Sequence, residues 1–172
     1  MELDLFGSLG RRRGGEDDES RTSAETGLDI TWYQPLFRSW VVKASGHGRF
    51  KYMWSEGNKG FRENELYRFG GFESLRGFDD HGFLAPVYSV VSLELRYLLS
   101  RNSNLYAFWD GGWYHRDIVS GIKEDFPFGF GVGAHIDTGG GIMYISYALG
   151  QQSGNPIELG SAKIHLGYVS KF

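Results

Sequence analysis

Apolar and polar residues alternate one by one through most of this chain. Alternation with a period of two is the pattern of β-strands, whose successive side chains point to opposite faces of a sheet. The sequence predicts eight such strands, close to residues 2–9, 28–33, 40–52, 87–97, 104–113, 128–136, 143–149 and 161–172. The predicted fold class is therefore all-β.

The predicted connections alternate in length along the chain. Residues 36–39, 100–103 and 137–140 form short turns, whereas 11–25, 56–83, 116–126 and 149–161 form long connections. Short turns on one side and long loops on the other are typical of outer-membrane barrels. A soluble β-sandwich is the alternative, but it has no reason to keep this strict order. The sequence predicts a transmembrane antiparallel up-and-down β-barrel.

The two faces of the predicted strands differ in chemistry. One face is apolar and aromatic, while the other combines glycines with charged residues, namely Lys43, Arg49, Lys51, Glu94, Arg96, Asp110 and Lys163. An apolar exterior and a polar interior are the pattern of a membrane barrel. Most of the segments have the roughly 9–11 residues that a tilted strand needs to cross a bilayer.

Composition limits the function classes. The 172 residues fit one domain, taken as 1–172, and a net charge of −3 does not favour a nucleic-acid partner. The chain contains no cysteine. It contains no run of about 18 apolar residues, as a transmembrane helix would need. Its first residues lack the basic start and apolar run of a signal peptide.

No residue pattern predicts catalysis, a metal site or a cofactor. A nucleophile motif of the Gly-x-Ser-x-Gly type is absent from the sequence. His47, His135 and His165 fall on the polar face, where we interpret them as residues lining the interior. We expect a protein that is not an enzyme.

A glycine-rich segment between the third and fourth predicted strands carries an unusual set of side chains. It reads Arg-Phe-Gly-Gly-Phe-Glu-Ser-Leu-Arg-Gly-Phe-Asp-Asp over residues 68–80. Glycine permits backbone conformations that other residues rarely adopt. A loop with so many specific side chains predicts a role beyond connection.

The segment resembles the arginine–glycine–aromatic loop motif of the bacterial surface antigen superfamily, which includes the BamA/TamA-type barrels. The match covers residues 70–78, and Phe-Trp-Asp-Gly-Gly at 108–112 resembles the family's Phe-x-Asp-x-Gly strand. The resemblance implies a sixteen-stranded barrel whose long loop folds inward and is held by Arg76, Gly77 and Phe78. It further implies that Arg76 meets the acids Glu94 and Asp110.

The C-terminal strand resembles the sorting signal of outer-membrane barrels. Gly167, Tyr168 and the terminal Phe172 carry this resemblance, while Ser170 stands where a large apolar residue is usual. Counted from this end, the eight strands correspond to the C-terminal half of the sixteen. The periplasmic domains and the first strands of such a barrel are then missing.

The resemblance implies a barrel of the Gram-negative outer membrane that inserts outer-membrane proteins or transports proteins across that membrane. Its implied surroundings are the lipid bilayer and lipopolysaccharide, and its implied partners are unfolded client proteins or lipoproteins of an assembly complex. Three alternatives remain open. They are the barrel anchor of a patatin-like phospholipase, a two-partner secretion transporter and a stand-alone eight-stranded barrel.

Overall fold

The chain folds into one large antiparallel sheet. The computed structural model describes residues 2–13, 20–55, 61–118, 121–154 and 157–170. Eleven strands occur in these ranges: β1 Glu2–Arg13, β2 Ser20–Pro35, β3 Trp40–Ser55, β4 Tyr67–Phe69, β5 Phe83–Ala85, β6 Val87–Leu98, β7 Asn104–Ile118, β8 Gly121–Asp125, β9 Phe128–Asp137, β10 Gly141–Gln151 and β11 Lys163–Ser170.

Eight long strands lie side by side in the order β1-β2-β3-β6-β7-β9-β10-β11. Each is antiparallel to its neighbours. Each of the eight predicted strands corresponds to one of them, so the prediction of an all-β fold with eight consecutive strands is confirmed. The order is the simplest that an up-and-down sheet can have, because every strand pairs with the next long strand in the chain.

The short turns lie where the alternation predicts them. Trp40 donates its backbone N–H to the carbonyl of Phe37 at 3.0 Å, which closes the turn between β2 and β3. The turns at 99–103 and 138–140 are closed by similar backbone bonds, from Leu99 to Ser103 and from Thr138 to Gly141. All three turns lie at the same end of the sheet, because they follow β2, β6 and β9, and these three strands run in the same direction.

Two long connections contain more strand than the sequence predicts. Residues 116–126 include the end of β7 and all of β8. These two strands pair with each other in the part of β7 that extends past the start of β9. Residues 11–13 and 20–25 extend β1 and β2 in the same way. These hairpins are extensions of the sheet, and their mixed charges hide the alternation that marks the other strands.

The connection between β3 and β6 folds back over one face of the sheet. We call residues 61–86 the long loop. It contains a 3₁₀ turn at Glu63–Glu65 and the small hairpin of β4 and β5. A second 3₁₀ turn lies at Leu159–Ser161. Within the described ranges, no helix is long and apolar enough to cross a membrane.

The hydrophobic core lies between the long loop and the polar face of the sheet. Phe69, Leu75 and Phe83 of the loop pack with Tyr88 of β6 and Tyr114 of β7. The rings of Phe69 and Tyr88 stack with their centroids 4.2 Å apart. Burial is thus concentrated where the loop meets the sheet, and this contact fixes the position of the loop.

The opposite face of the sheet leaves large apolar side chains exposed. Leu5 is 71% exposed and Leu166 is 72% exposed, at the two ends of the sheet, and Leu93 in the middle is 46% exposed. The same face includes Leu28, Ile30, Trp32, Leu95, Leu105, Trp109, Val132, Ile145 and Tyr147. Together these side chains form one continuous apolar surface, which is much larger than the single exposed leucines that are common on soluble proteins.

The sheet has two free edges. Among the described pairings, β1 pairs only with β2, and β11 pairs only with β10. The pairing of the first strand with the last strand, which a stand-alone eight-stranded barrel requires, is not one of them. The sheet is therefore open.

Candidate functional site

The site is centred on Arg76, which lies on the polar face of the sheet beneath the long loop. The turn that presents it depends on glycine, because Gly70, Gly71 and Gly77 adopt φ values of 109°, 85° and 94°. Such positive φ angles are accessible to glycine without the steric cost that other residues incur. Ser74 accepts a hydrogen bond from the backbone N–H of Gly70 at 2.6 Å, which closes the turn.

Asp110 binds Arg76 through both the side chain and the main chain. Arg76 Nε donates to Asp110 Oδ2 and Arg76 Nη2 donates to Asp110 Oδ1, each at 2.7 Å. The backbone N–H of Arg76 also donates to Oδ2 of Asp110 at 3.1 Å. This two-pronged geometry is specific to arginine, since lysine carries a single point charge.

Glu94 and Ser92 complete the hydrogen bonding of the guanidinium. Arg76 Nη1 donates to Glu94 Oε1 at 2.9 Å, and Arg76 Nη2 donates to Ser92 Oγ at 2.8 Å. The guanidinium also lies over the ring of Phe108, 3.7 Å from its centroid. The acids reach Arg76 from the neighbouring strands β6 and β7, whose register pairs Ser92 with Asp110.

The cluster is almost completely removed from solvent. Arg76 is 6% exposed, Glu94 is 5% exposed and Asp110 is 0% exposed. Burial on its own would lower the pKa of Arg76, but the hydrogen bonds and negative charge of Asp110, together with Glu94, raise it above its usual value. Arg76 therefore remains a cation, and each carboxylate has a partner that offsets the cost of burial.

Two further cations share Glu94. Arg96 Nε donates to Glu94 Oε2 at 2.7 Å, and Lys43 Nζ lies 3.6 Å from Glu94 Oε1. Three cations thus surround the two carboxylates of the cluster. Both oxygens of Glu94 are occupied, so loss of Glu94 would leave Arg76 and Arg96 facing each other without an intervening negative charge.

Glycines of the sheet form the floor on which the Arg76 turn rests. Gly129 of β9 and Gly150 of β10 face each other in the sheet register. A Cβ atom on Gly129 would overlap the carbonyl oxygen of Arg76, and one on Gly150 would lie 2.5 Å from the carbonyl oxygen of Gly77. The loop backbone can approach the strands this closely only because neither position has a side chain.

Gly77 and Phe78 continue the contact with the sheet. A Cβ atom on Gly77 would lie 2.6 Å from the carbonyl carbon of Leu149, so glycine is required by space as well as by its φ angle. The ring of Phe78 packs edge-on against Phe83, 5.0 Å between centroids, and lies beside Gly150. The structure thus brings together all five residues predicted for the loop: Arg76, Gly77, Phe78, Glu94 and Asp110.

A second attachment holds the other end of the long loop. Lys51 of β3 pairs with Glu25 of β2 at 2.9 Å and donates to the backbone carbonyl of Glu65 at 2.7 Å. Tyr67 donates its hydroxyl to Glu25 at 3.1 Å. Burial and the adjacent Glu25 carboxylate raise the pKa of Tyr67, which keeps its hydroxyl protonated as a donor.

A third contact joins the loop to the last strand. Lys163 Nζ lies 2.6 Å from Asp79 Oδ1, with both side chains substantially exposed. The ring of Phe72 reaches His165 of β11 and Tyr144 of β10, with centroid distances of 6.1 Å and 6.0 Å. Contacts from β2 to β11 mean that the loop spans nearly the whole width of the sheet.

Comparison with models of known protein families identifies the superfamily of the chain. The model of the Omp85 superfamily domain matches residues 13–166, which is most of the chain. The chain belongs to the Omp85 superfamily. A search of curated proteins returned no match to it. At the level of the superfamily, membership indicates proteins of the Gram-negative outer membrane that assemble or translocate other proteins.

Several residues of this Omp85 domain that build the site were missed by sequence reasoning. From the sequence, Gly129, Gly131 and Gly133 were interpreted only as residues on one face of a strand. In the structure, Gly129 also makes room for the backbone of the long loop. Their spacing on the polar face of β9 was the available signal, since three glycines in a row on one face leave a groove. Ser92 gave no signal as a partner of the arginine, and Phe108 was noted only as part of the Phe-x-Asp-x-Gly resemblance, although the guanidinium lies over its ring.

The predicted C-terminal signal of the Omp85 domain is described only in part. Gly167 and Tyr168 lie in β11, where Tyr168 is 58% exposed on the apolar face. Phe172 lies outside the described residues. The register places Gly167 opposite Tyr144 of β10, on the polar side of the sheet.

The three histidines on the polar face, His47, His135 and His165, contact aromatic rings. His135 lies between Tyr106 and Tyr144, with centroid distances of 4.9 Å and 4.7 Å, and His47 lies 5.6 Å from Tyr88. In the part of the chain that the structure describes, no group of three or more histidines and acids is arranged to hold a metal ion.

Proposed function

We propose that this chain contributes eight strands to a sixteen-stranded barrel of the BamA/TamA type in the outer membrane. The observation that carries the proposal is the contrast between the two faces of one sheet. One face exposes large apolar side chains, from Leu5 at one end to Leu166 at the other, and the opposite face holds a buried ionic cluster. Lipid is the environment that suits the first face.

The long loop plugs the interior of this barrel in the proposal. Arg76, Gly77 and Phe78 hold it against the wall, with Glu94 and Asp110 as the partners of the arginine. A fixed loop occupies space through which water and solutes would otherwise pass. It also braces neighbouring strands, because the Arg76 contacts extend over β6, β7 and the glycine floor of β9 and β10.

The free edge of β11 is the proposed binding surface for the strands of client proteins. An unpaired strand offers a row of N–H and C=O groups that an extended segment can join by main-chain hydrogen bonds. The proposed partners are unfolded outer-membrane proteins, whose own strands would add to this edge, and lipoproteins of an assembly complex. The proposed activity is insertion of such proteins, or their transport across the membrane, without an enzymatic step.

Assembly of a client barrel tests this function. The full chain would be placed in vesicles of outer-membrane lipids, and folding of a small outer-membrane protein would be followed by its resistance to protease. We expect faster folding than in vesicles without the chain, and slower folding when Arg76→Ala replaces the wild type. Folding at the rate of empty vesicles would contradict the proposed function.

A further inference from the structure

The apolar face of the sheet is not flat. A depression of about 750 Å³ opens on it, and we call it the apolar groove. Larger side chains, each more than a third exposed, line it: Leu95, Leu105, Val132 and Ile145. Ala107 and Ala134 lie between these residues in the register of the sheet, and their small side chains leave the room that the groove occupies.

The groove begins at the end of the sheet that carries the short turns. Trp40, the first residue of β3, and Tyr97, near the end of β6, line it there. Their ring centroids are 5.1 Å apart. Tryptophan and tyrosine are typical of the level at which a barrel meets the lipid head groups. A lipid tail in the groove therefore has its head group beside the turns.

Two exposed arginines lie on the turns at this end. Arg38 is in the turn between β2 and β3, and Arg101 is in the turn between β6 and β7. The two turns are neighbours, because Leu98 donates its backbone N–H to the carbonyl of Ser39 at 2.8 Å. Arg38 adopts a φ of 48°, a region that glycine and asparagine occupy more readily than arginine. Neither arginine is a member of the ion pairs that join the described residues.

The charge of the turns favours an anion. Asp137 is the acidic residue of the three short turns, and both of its carboxylate oxygens already accept hydrogen bonds. Asn102 donates to Oδ2 at 2.8 Å, and the backbone N–H of Gly139 donates to Oδ1 at 3.0 Å. A guanidinium can bond phosphate oxygens in two-pronged geometry, so a phosphate suits the two arginines.

We propose that the apolar groove and the two arginines bind one anionic glycerophospholipid. An acyl chain lies in the groove over Ala107 and Ala134, and the phosphate lies beside Arg38 and Arg101. The proposal rests on the proposed function for the position of the apolar face in lipid, with the short turns on the periplasmic side as in other outer-membrane barrels. The ligand then comes from the periplasmic leaflet, and the β11 edge stays free for a client strand.

The tail and the head group of the lipid contribute differently. Lipid tails are as apolar as the groove, so a tail that enters it gains packing contacts but no hydrophobic free energy. Selection among lipids must therefore come from the head group. An anionic lipid is attracted by both arginines, whereas a zwitterionic lipid brings its own cation next to them. Phosphatidylglycerol should bind more tightly than phosphatidylcholine with the same acyl chains.

Native mass spectrometry of the folded full chain in detergent tests the role of the arginines. Phosphatidylglycerol or phosphatidylcholine is titrated in, and the lipids bound to each chain are counted. We expect one tightly bound phosphatidylglycerol, and an affinity about thirtyfold lower when Arg38→Gln and Arg101→Gln are combined. The matched control combines Arg68→Gln and Lys123→Gln, which removes two exposed cations away from the short turns and should leave the affinity unchanged.

The change Ala107→Leu tests the groove itself. The larger side chain fills part of the groove while both arginines remain, so the affinity for phosphatidylglycerol should fall by about threefold or more. Val91→Leu is the matched control, because Val91 is exposed on the same face but does not line the groove.

Three results would overturn the proposal. Equal binding of the two lipids by the wild type would mean that the face attracts lipid without selection. Unchanged affinity in the variant that lacks both arginines would remove the phosphate site. An effect of the arginines without an effect of Ala107→Leu would show that the acyl chain does not lie in the groove.

Lipid binding is measured in detergent without a client protein, so it is independent of client assembly. Selective binding of phosphatidylglycerol with no acceleration of client folding would leave the lipid site standing and contradict only the proposed function. Faster client folding by a chain that binds both lipids equally would do the reverse.

Discussion

One carboxylate oxygen of Asp110 accepts two hydrogen bonds from Arg76, from the backbone N–H at 3.1 Å and from Nε at 2.7 Å. Asp110 thus holds the main chain of the long loop as well as the side chain. Because Asp110 is fully buried, these bonds form away from competing water. The contact ties a loop to a strand 34 residues further along the chain.

The shape of the guanidinium predicts the effect of Arg76→Lys. Lysine keeps the charge but cannot bond Asp110, Glu94 and Ser92 at once. We expect a loss of about 1–3 kcal/mol in the free energy of unfolding, since hydrogen bonds to buried charged groups are lost. Denaturant unfolding in detergent measures it. The control is Arg68→Lys on an exposed position of β4, and an equal effect of the two changes would contradict the account.

The glycine floor predicts that Gly129→Ala displaces the loop. Its added methyl would overlap the Arg76 carbonyl oxygen, and backbone atoms cannot move aside as a flexible side chain can. We expect a cost of about 1–3 kcal/mol, as for overpacking in a core. Gly160→Ala is the matched control, because a Cβ atom there meets nothing within 4 Å. Unfolding curves that shift equally for both variants would show that the floor is unimportant.

Two lysines contact the long loop, and the burial of each pair predicts which lysine contributes more to stability. Lys51 is 14% exposed and bonds Glu25 and a loop carbonyl, whereas Lys163 is 39% exposed and its partner Asp79 is 78% exposed. Exposed pairs contribute about 0–1 kcal/mol, and hydrogen bonds to more buried charges about 1.5–3 kcal/mol. Lys51→Met should therefore lower the midpoint of thermal unfolding more than Lys163→Met. The reverse order would be inconsistent with the contacts.

The apolar face predicts a response that depends on lipid. Leu93 lies in the middle of β6, and Leu99 lies in the turn after it. An arginine near the bilayer midplane costs about 2–4 kcal/mol, against about 0–1 kcal/mol near the interface. Leu93→Arg should thus impair folding into vesicles much more than Leu99→Arg. If both variants fold into vesicles like the wild type, the face does not lie in lipid.

The sequence predicted the strands and the face on which the two acids lie for one physical reason, whereas the partnership of those acids with Arg76 was implied by the family resemblance. Alternation assigns each side chain to a face, so the parity of Glu94 and Asp110 placed both on the polar side before any contact was known. The same rule placed Leu93 and Trp109 on the apolar side, where both are exposed. The face to which a side chain points depends only on its position along its own strand. A single sequence is therefore sufficient to predict it.

Other features depend on contacts between segments that are far apart in the sequence, and these contacts were not predicted. Gly129 accommodates the Arg76 carbonyl because of the position of the loop on the sheet. Alternation along a strand does not specify that position. The pairing of Lys51 with Glu25 was not predicted, because residue 25 fell in a predicted long connection and not in a strand. The bond from Lys51 to the Glu65 carbonyl depends on the path of the long loop. The β8 strand was missed because its five residues, three of them charged, carry no apolar alternation.

The accessibility of Leu75 tests most directly whether Arg76 holds the long loop on the sheet. Leu75 is 0% exposed and precedes Arg76, so a cysteine there reacts with a water-soluble maleimide only when the loop opens. Breaking a buried ion pair costs about 3–5 kcal/mol, so adding Arg76→Ala to Leu75→Cys should raise the labelling rate about a hundredfold or more. Arg68→Ala serves as the control. Equal labelling rates with and without Arg76 would contradict the account.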